Sequence, residues 1–137
     1  MVAAKNANEQ AVLDFFKTLS TGDLDALVPH LHVDASWEPM VRDIPGAGRH
    51  HPRDAVINDF LAPIRGAFVE GDPKTTVDVM MSDGDRVVCE THATGLKADG
   101  KAYNNRYCWV LELRDGKVLN IREYMDSLYV AKFFDMI

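Results

Sequence analysis

Three Asp-Gly steps, at Asp83-Gly84, Asp99-Gly100 and Asp115-Gly116, divide the second half of this chain into strand-like runs: Thr75 to Met81, Arg86 to Lys97, Tyr103 to Arg114 and Lys117 to Asp126. An Asp-Gly pair accepts the positive φ that a tight hairpin demands, so each step predicts a chain reversal with its flanking runs paired antiparallel. A meander of consecutive strands leaves few architectures open, and what precedes it decides among them.

What precedes it is helical. From Asn8 to Leu19 apolar side chains fall at Ala11, Val12, Phe15, Phe16 and Leu19, the spacing of a helix buried along one side. Thr21-Gly22 ends that helix, and Asp23 is placed to cap a short second helix through Leu31, with Leu24, Leu27, Val28 and Leu31 inward. Val33 to Glu38 reads as a short strand that Pro39 terminates. Pro45, Gly46, Gly48 and Pro52 make the segment from Met40 to Pro52 irregular, and a loop of that length in a small domain is a candidate pocket lid. Arg53 to Phe68 follows as a third helix with Ala55, Val56, Phe60, Leu61 and Ile64 inward, and Pro63 is expected to kink or break it. Leu128 to Met136 closes the chain as a final helix or tail. Helices before strands predict an α+β fold in which a curved sheet, mixed or antiparallel, wraps around the N-terminal helices as a cone. The expected domain spans 1–137, a length that buries a core without disulfide or metal.

A formal net charge of -6, with no clustered Lys and Arg, argues against a nucleic-acid partner. No apolar run approaches a membrane span, and the opening M-V-A-A-K-N-A-N-E-Q lacks a signal-peptide layout, so the expectation is a cytoplasmic protein with no membrane partner. Cys89 and Cys108 lack C-x-x-C spacing and read as small buried thiols rather than a disulfide. His30-Leu31-His32 has H-x-H spacing without a third ligand nearby, and neither a metal nor a cofactor is expected.

One strand carries an anomaly. In L-N-I-R-E-Y-M-D, residues 119–126, period-two alternation puts Leu119, Ile121, Glu123 and Met125 on one face. A carboxylate among apolar neighbours must be paired, neutralised or employed. On the neighbouring strand Asn105, Tyr107 and Trp109 share the face expected to be inner, within reach of Glu123 across the sheet. Burial raises a glutamate's pKa, so Glu123 could hold a proton at neutral pH and donate it; the plainer reading is a polar network with Tyr107 or Asn105. Trp37 is either core or ligand wall, and Asp59 either borders a pocket mouth or is simply solvated. One ring of His50-His51 could swing over a pocket, the plainer reading being two surface histidines.

The order of elements, together with T-G-D-L-D-A-L, V-D-A-S-W-E-P, A-D-G-K-A-Y-N-N-R-Y and L-R-D-G-K-V-L-N-I-R-E-Y-M-D, resembles the nuclear-transport-factor-2-like superfamily and within it the SnoaL-like group. The resemblance implies the cone-shaped fold and leaves the reaction open, since this fold hosts many functions. Ketosteroid isomerases would place their base and donors near Pro39, Cys108 or Trp109, and Phe15, none of which supplies the needed group. Limonene epoxide hydrolases would place an Arg, an Asp and a second Asp at Thr91, Ala93 and Glu123, and here only the last is acidic. SnoaL-like polyketide cyclases and related phenazine-biosynthesis proteins carry an acidic residue in the region of Glu123.

These readings make Glu123, Tyr107 and Asn105 the candidate catalytic set. Trp37, Thr91, Ala93, Asp59 and Trp109 are the candidate ligand contacts, Thr91 and Ala93 forming a small wall that leaves room for the ligand. The expected activity is cofactor-independent cyclisation, isomerisation or dehydration of an apolar, cyclic metabolite, with Glu123 as general acid or base. The alternative is a non-catalytic module of the same fold that binds a small ligand or a protein. Such sheets commonly pair back to back, so a homodimer through the face bearing Glu90, His92 and Arg106 is expected.

Overall fold

The computed structural model describes residues 2–137. Helix α1, Ala7–Leu19, begins at the N-cap Asn6, whose side chain accepts from the Glu9 N–H. It buries Val12, Phe15, Phe16 and Leu19, the stripe the spacing predicts. Helix α2, Leu24–Leu27, is capped by Asp23 and tightens into a 3-10 turn over Val28–His30. The second helix therefore does not reach Leu31. Pro29 sits in that turn, and Leu31, fully buried, opens strand β1, Leu31–Pro39.

The third helix, α3, runs over residues 53–66 in three windings: α over Arg53–Ala55, π over Val56–Leu61 and α over Ala62–Gly66. Pro63 neither breaks nor ends it. Just ahead of the proline the Ala62 N–H reaches back to the Ile57 carbonyl, the longer hydrogen bond of a π turn. Such a winding lets a residue without an N–H sit inside a continuous helix.

The remaining strands are β2 Lys74–Asp83, β3 Arg86–Leu96, β4 Ala102–Arg114 and β5 Lys117–Met125, followed by helix α4, Ser127–Phe133. They form one sheet in the order β1-β5-β4-β3-β2, antiparallel except that β1 lies parallel to β5. The sheet is thus mixed, and the fold is α+β. At the last hairpin Asp115 and Gly116 both have positive φ, 53° and 75°, as the Asp-Gly signal requires.

Register follows the predicted faces with one exception. Asn105 pairs with Ala93, Tyr107 with Thr91 and Trp109 with Cys89, and this row faces the helices. On β5 a bulge intervenes: Glu112 pairs with Asn120 but Leu113 with Val118. The extra residue, Leu119, takes no place in the ladder, so Val118 rather than Leu119 joins Ile121 in the main core. That core packs α1, α2 and the π winding against the inner sheet face, with Phe15, Phe16, Trp37, Phe60 and Trp109 interlocked edge to face or tilted. A second cluster, Phe68, Ala93, Tyr103 and Phe133, packs the C-terminal helix against β4.

Candidate functional site

Between the inner sheet face, α3, α4 and the loop after β1 lies an apolar cavity of about 420 Å³. Its walls are built by Tyr103, Tyr107, Glu123 and Met125 from the sheet, Phe60 and Ile64 from α3, and Val130 and Phe134 from the C-terminal end. The Met40–Pro52 segment supplies Val41, Ile44, Pro45 and His50. Two anchors hold this segment over the cavity. The Met40 N–H donates to the Glu123 carbonyl at 2.8 Å, and Trp37 and His50 exchange a pair of backbone hydrogen bonds at 2.9 Å. The His50 ring stacks on Phe60 with centroids 4.4 Å apart and lies 2.7 Å, through Nε2, from the Gly46 carbonyl. His51 is exposed.

Glu123 stands where β1 and β5 meet, paired in register with Pro39. Trp37 Nε1 donates to its Oε1 at 2.9 Å, and among the described residues this is the carboxyl's one hydrogen bond. Burial disfavours the charged form and pushes the Glu123 carboxyl up to about 7, while the Trp37 hydrogen bond pulls the other way. The partner is therefore Trp37, not the Tyr107 or Asn105 of the plainer sequence reading. At neutral pH the group is divided between acid and base.

Two phenols line the same cavity. Tyr103 Oη and Tyr107 Oη lie 2.5 Å apart, and Asn105 Nδ2 reaches Tyr103 Oη at 3.1 Å. The Asn105 amide is oriented by backbone groups on both sides, its Oδ1 accepting from the Arg106 N–H and its Nδ2 donating to the Asp126 carbonyl. Nδ2 is thus the donor, and Tyr103 Oη accepts. Two hydroxyl protons remain, and one is used between the two phenols. The other has no protein acceptor among the described residues, on a cavity wall that includes both rings. Burial pushes Tyr103 up to about 12 and Tyr107 well above its ordinary value, so both are neutral donors.

Behind Tyr107 and Glu123 lies a second, smaller recess of about 80 Å³ that reaches Trp37, Arg65, Ala93 and Trp109. The residues singled out from the sequence therefore separate into layers. Glu123 and Tyr107 border both spaces; Trp37, Trp109 and Ala93 border only the recess; Asp59 is exposed on the rim of the larger cavity. Asn105 and Thr91 are buried behind the wall. Thr91 does not open space for a ligand, because its Oγ1 accepts from Trp109 Nε1 at 2.8 Å and the indole fills that region.

Sequence reasoning passed over Tyr103 and Arg65; of the His50-His51 pair, it is the His50 ring that borders the cavity. Tyr103 carried a signal, since it continues the Asn105, Tyr107, Trp109 row by one period-two step. Arg65 carried one too, four residues after the buried Leu61 on α3.

Among the described residues no group of His, Cys, Asp or Glu gathers as a metal-holding cluster, and no helix is long and apolar enough to cross a membrane.

A curved mixed sheet over helices, with a polar pair set inside an apolar cone, defines an NTF2-like fold with a small-molecule-sized cavity. The chain belongs to the SnoaL-like domain family, which matches residues 12–121. Among solved structures, TerC co-crystallised with polyporic acid superposes with a TM-score of 0.81 at 18% identity, covering 95% of this chain and 99% of that one. Bal32a from a soil-derived mobile gene cassette gives 0.76 at 27% identity, covering 90% and 92%. A candidate SnoaL-like polyketide cyclase from Jannaschia sp. CCS1 gives 0.77 at 18%, covering 96% and 95%. Curated protein sequences give no match.

Proposed function

We propose that the protein is a small cofactor-independent enzyme that moves a proton on an apolar, cyclic metabolite, with Glu123 as general acid and base. The observation that carries this reading is the half-buried Glu123 carboxyl, poised at about 7 on a cavity wall that also carries an unclaimed phenolic proton. In its charged form Glu123 takes a proton from carbon beside a carbonyl. The electron pair moves to the carbonyl oxygen, which accepts the free proton of the Tyr103–Tyr107 pair as a hydrogen bond. Glu123 then returns its proton at the same or another carbon. Isomerisation, cyclisation and dehydration all draw on that step. That a protein of this fold, TerC, has been co-crystallised with polyporic acid supports a small-molecule occupant.

The test is hydrogen–deuterium exchange of a panel of enolisable cyclic ketones, tetralone first, in heavy water. Exchange above background with the protein, lost in Glu123→Gln, supports the reading. Binding without exchange across the panel favours the non-catalytic module instead.

A homodimer belongs to the same proposal. The outer sheet face presents Val79, Met81 and Tyr124 at 44%, 59% and 41% exposure, flanked by Glu90, His92 and Arg106, a mixed surface suited to a second copy. A cytoplasmic setting fits the two free thiols, Cys89 buried and Cys108 on the opposite face of the sheet.

A further inference from the structure

Arg65 is the one charged side chain bordering the inner recess whose own partners do not explain it. It projects from the last winding of α3, and its Nη2 donates to the Leu19 carbonyl at the end of α1 at 2.9 Å. Its Nε is buried and has no acceptor. No carboxylate lies within ion-pairing distance among the described residues. The nearest influence of that sign, Asp72, is already engaged by the Leu96 N–H at 2.9 Å and stands 3.9 Å from Lys74 Nζ. A guanidinium stays protonated even when burial weakens its hold on the proton, and a partly buried charge without a partner is costly.

The recess offers a place for that partner. At about 80 Å³ it has room for a carboxylate-sized group, a liquid water occupying about 30 Å³. It shares Phe60, Ile64, Tyr107 and Glu123 with the larger cavity, so the two spaces adjoin at the two polar side chains of the proposed chemistry. Glu123 does not serve as the internal counterion: burial favours its neutral form, and it does not pair with Arg65.

We propose that Arg65 anchors an anionic head group, and that the ligand is an organic acid: a flat apolar ring system in the larger cavity bearing one carboxylate or acidic enol in the recess. This rests on the cavity being a small-molecule site, though not on its being catalytic. The competing role for Arg65 is to cap α1 through Leu19 and nothing more.

Naphthoate and its neutral isostere naphthamide separate the two roles. Each is titrated into the full chain at about pH 6, where Glu123 is mainly protonated, with binding read from quenching of Trp37 and Trp109, the chain's two indoles. The expected result is about 10-fold or more tighter binding of naphthoate, a preference abolished in Arg65→Gln and partly kept in Arg65→Lys. Because Arg65→Gln also removes the bond to Leu19, a second measurement uses the unaltered protein: the Arg65 Nε–H resonance should shift with naphthoate and stay in place with naphthamide. Equal affinity for the two probes overturns the inference and leaves the cavity a ligand site. So does a preference that survives Arg65→Gln. Failure of both probes to bind overturns the inference and the ligand-site reading together.

Discussion

The indole of Trp37 and the carboxyl of Glu123 meet across the seam where β1 runs parallel to β5, Nε1 donating to Oε1 at 2.9 Å. Either protonation state of the carboxyl can accept this bond, but the charged state gains more from it. Trp37→Phe removes the donor and should move Glu123 above its present value of about 7. The pH at which the base form appears, read from the acid limb of the rate profile or from carboxyl carbon shifts, should rise. A stability loss of about 2 kcal/mol is expected alongside from the thinned core. An unchanged carboxyl titration would show that this bond does not tune the acid.

Glu123→Gln should keep the fold, since the amide oxygen still accepts from Trp37. Turnover, once a substrate is in hand, should fall about 100-fold or more, the scale of general acid–base catalysis. Stability supplies an independent reading. The folded-state value, about 7, lies above the ordinary 4.5, so Glu123 favours folding fully only below about 4.5, and the contribution is lost as pH rises to about 7. Above that the charged carboxyl costs about 3 kcal/mol. Urea unfolding should therefore show Glu123→Gln gaining on the wild type between those values and holding a constant lead beyond. A pH-independent difference would show that burial does not raise the pKa of this carboxyl.

If one phenolic proton serves the ligand and the other joins Tyr103 to Tyr107, the two hydroxyls act as a unit. Tyr107→Phe and Tyr103→Phe should then each slow exchange of an enolisable ketone, and the double variant should be little worse than the poorer single one. A double-mutant cycle measures this, and strict additivity would show that the two act separately.

The fold was legible because its signals are local. Asp-Gly turns fixed the hairpins, and the i, i+3, i+4 stripe placed α1 within one residue of its observed start. What escaped depended on three-dimensional compensation. Pro63 survives inside α3 because a π winding accommodates its missing N–H, and Leu119 leaves its row through a bulge; no period-two or period-3.6 count contains either device. The row of Asn105, Tyr107 and Trp109 was readable from alternation, while the partners of its members were not. Trp109 turned to Thr91, Asn105 to Tyr103, and Glu123 to a residue 86 positions earlier.

Thr91 gives a prediction opposite to the one its small size invited. Its hydroxyl is the acceptor for a buried indole N–H, so Thr91→Val, nearly unchanged in shape, strands that donor and should cost about 1–3 kcal/mol in urea unfolding. Ligand affinity should change little, because Thr91 lies behind the cavity wall. A stable variant with altered binding would restore Thr91 to the ligand's surface.

The dimer is tested on the outer face, where Met81 pairs with Val88 and Val88 with Val110, a short apolar strip between charged residues. Met81 is 59% exposed, so a charge there should cost the folded monomer little, whereas burying it against a second copy would leave the charge without water or partner. Light scattering at micromolar concentration should give twice the mass of one chain for the wild type and one chain's mass for Met81→Asp, with matching thermal unfolding at dilutions where both are monomeric. A wild-type mass of one chain would remove the dimer. A dimer that tolerates Met81→Asp would move the contact to another surface, because an uncompensated carboxylate at one end of an apolar strip does not survive close packing.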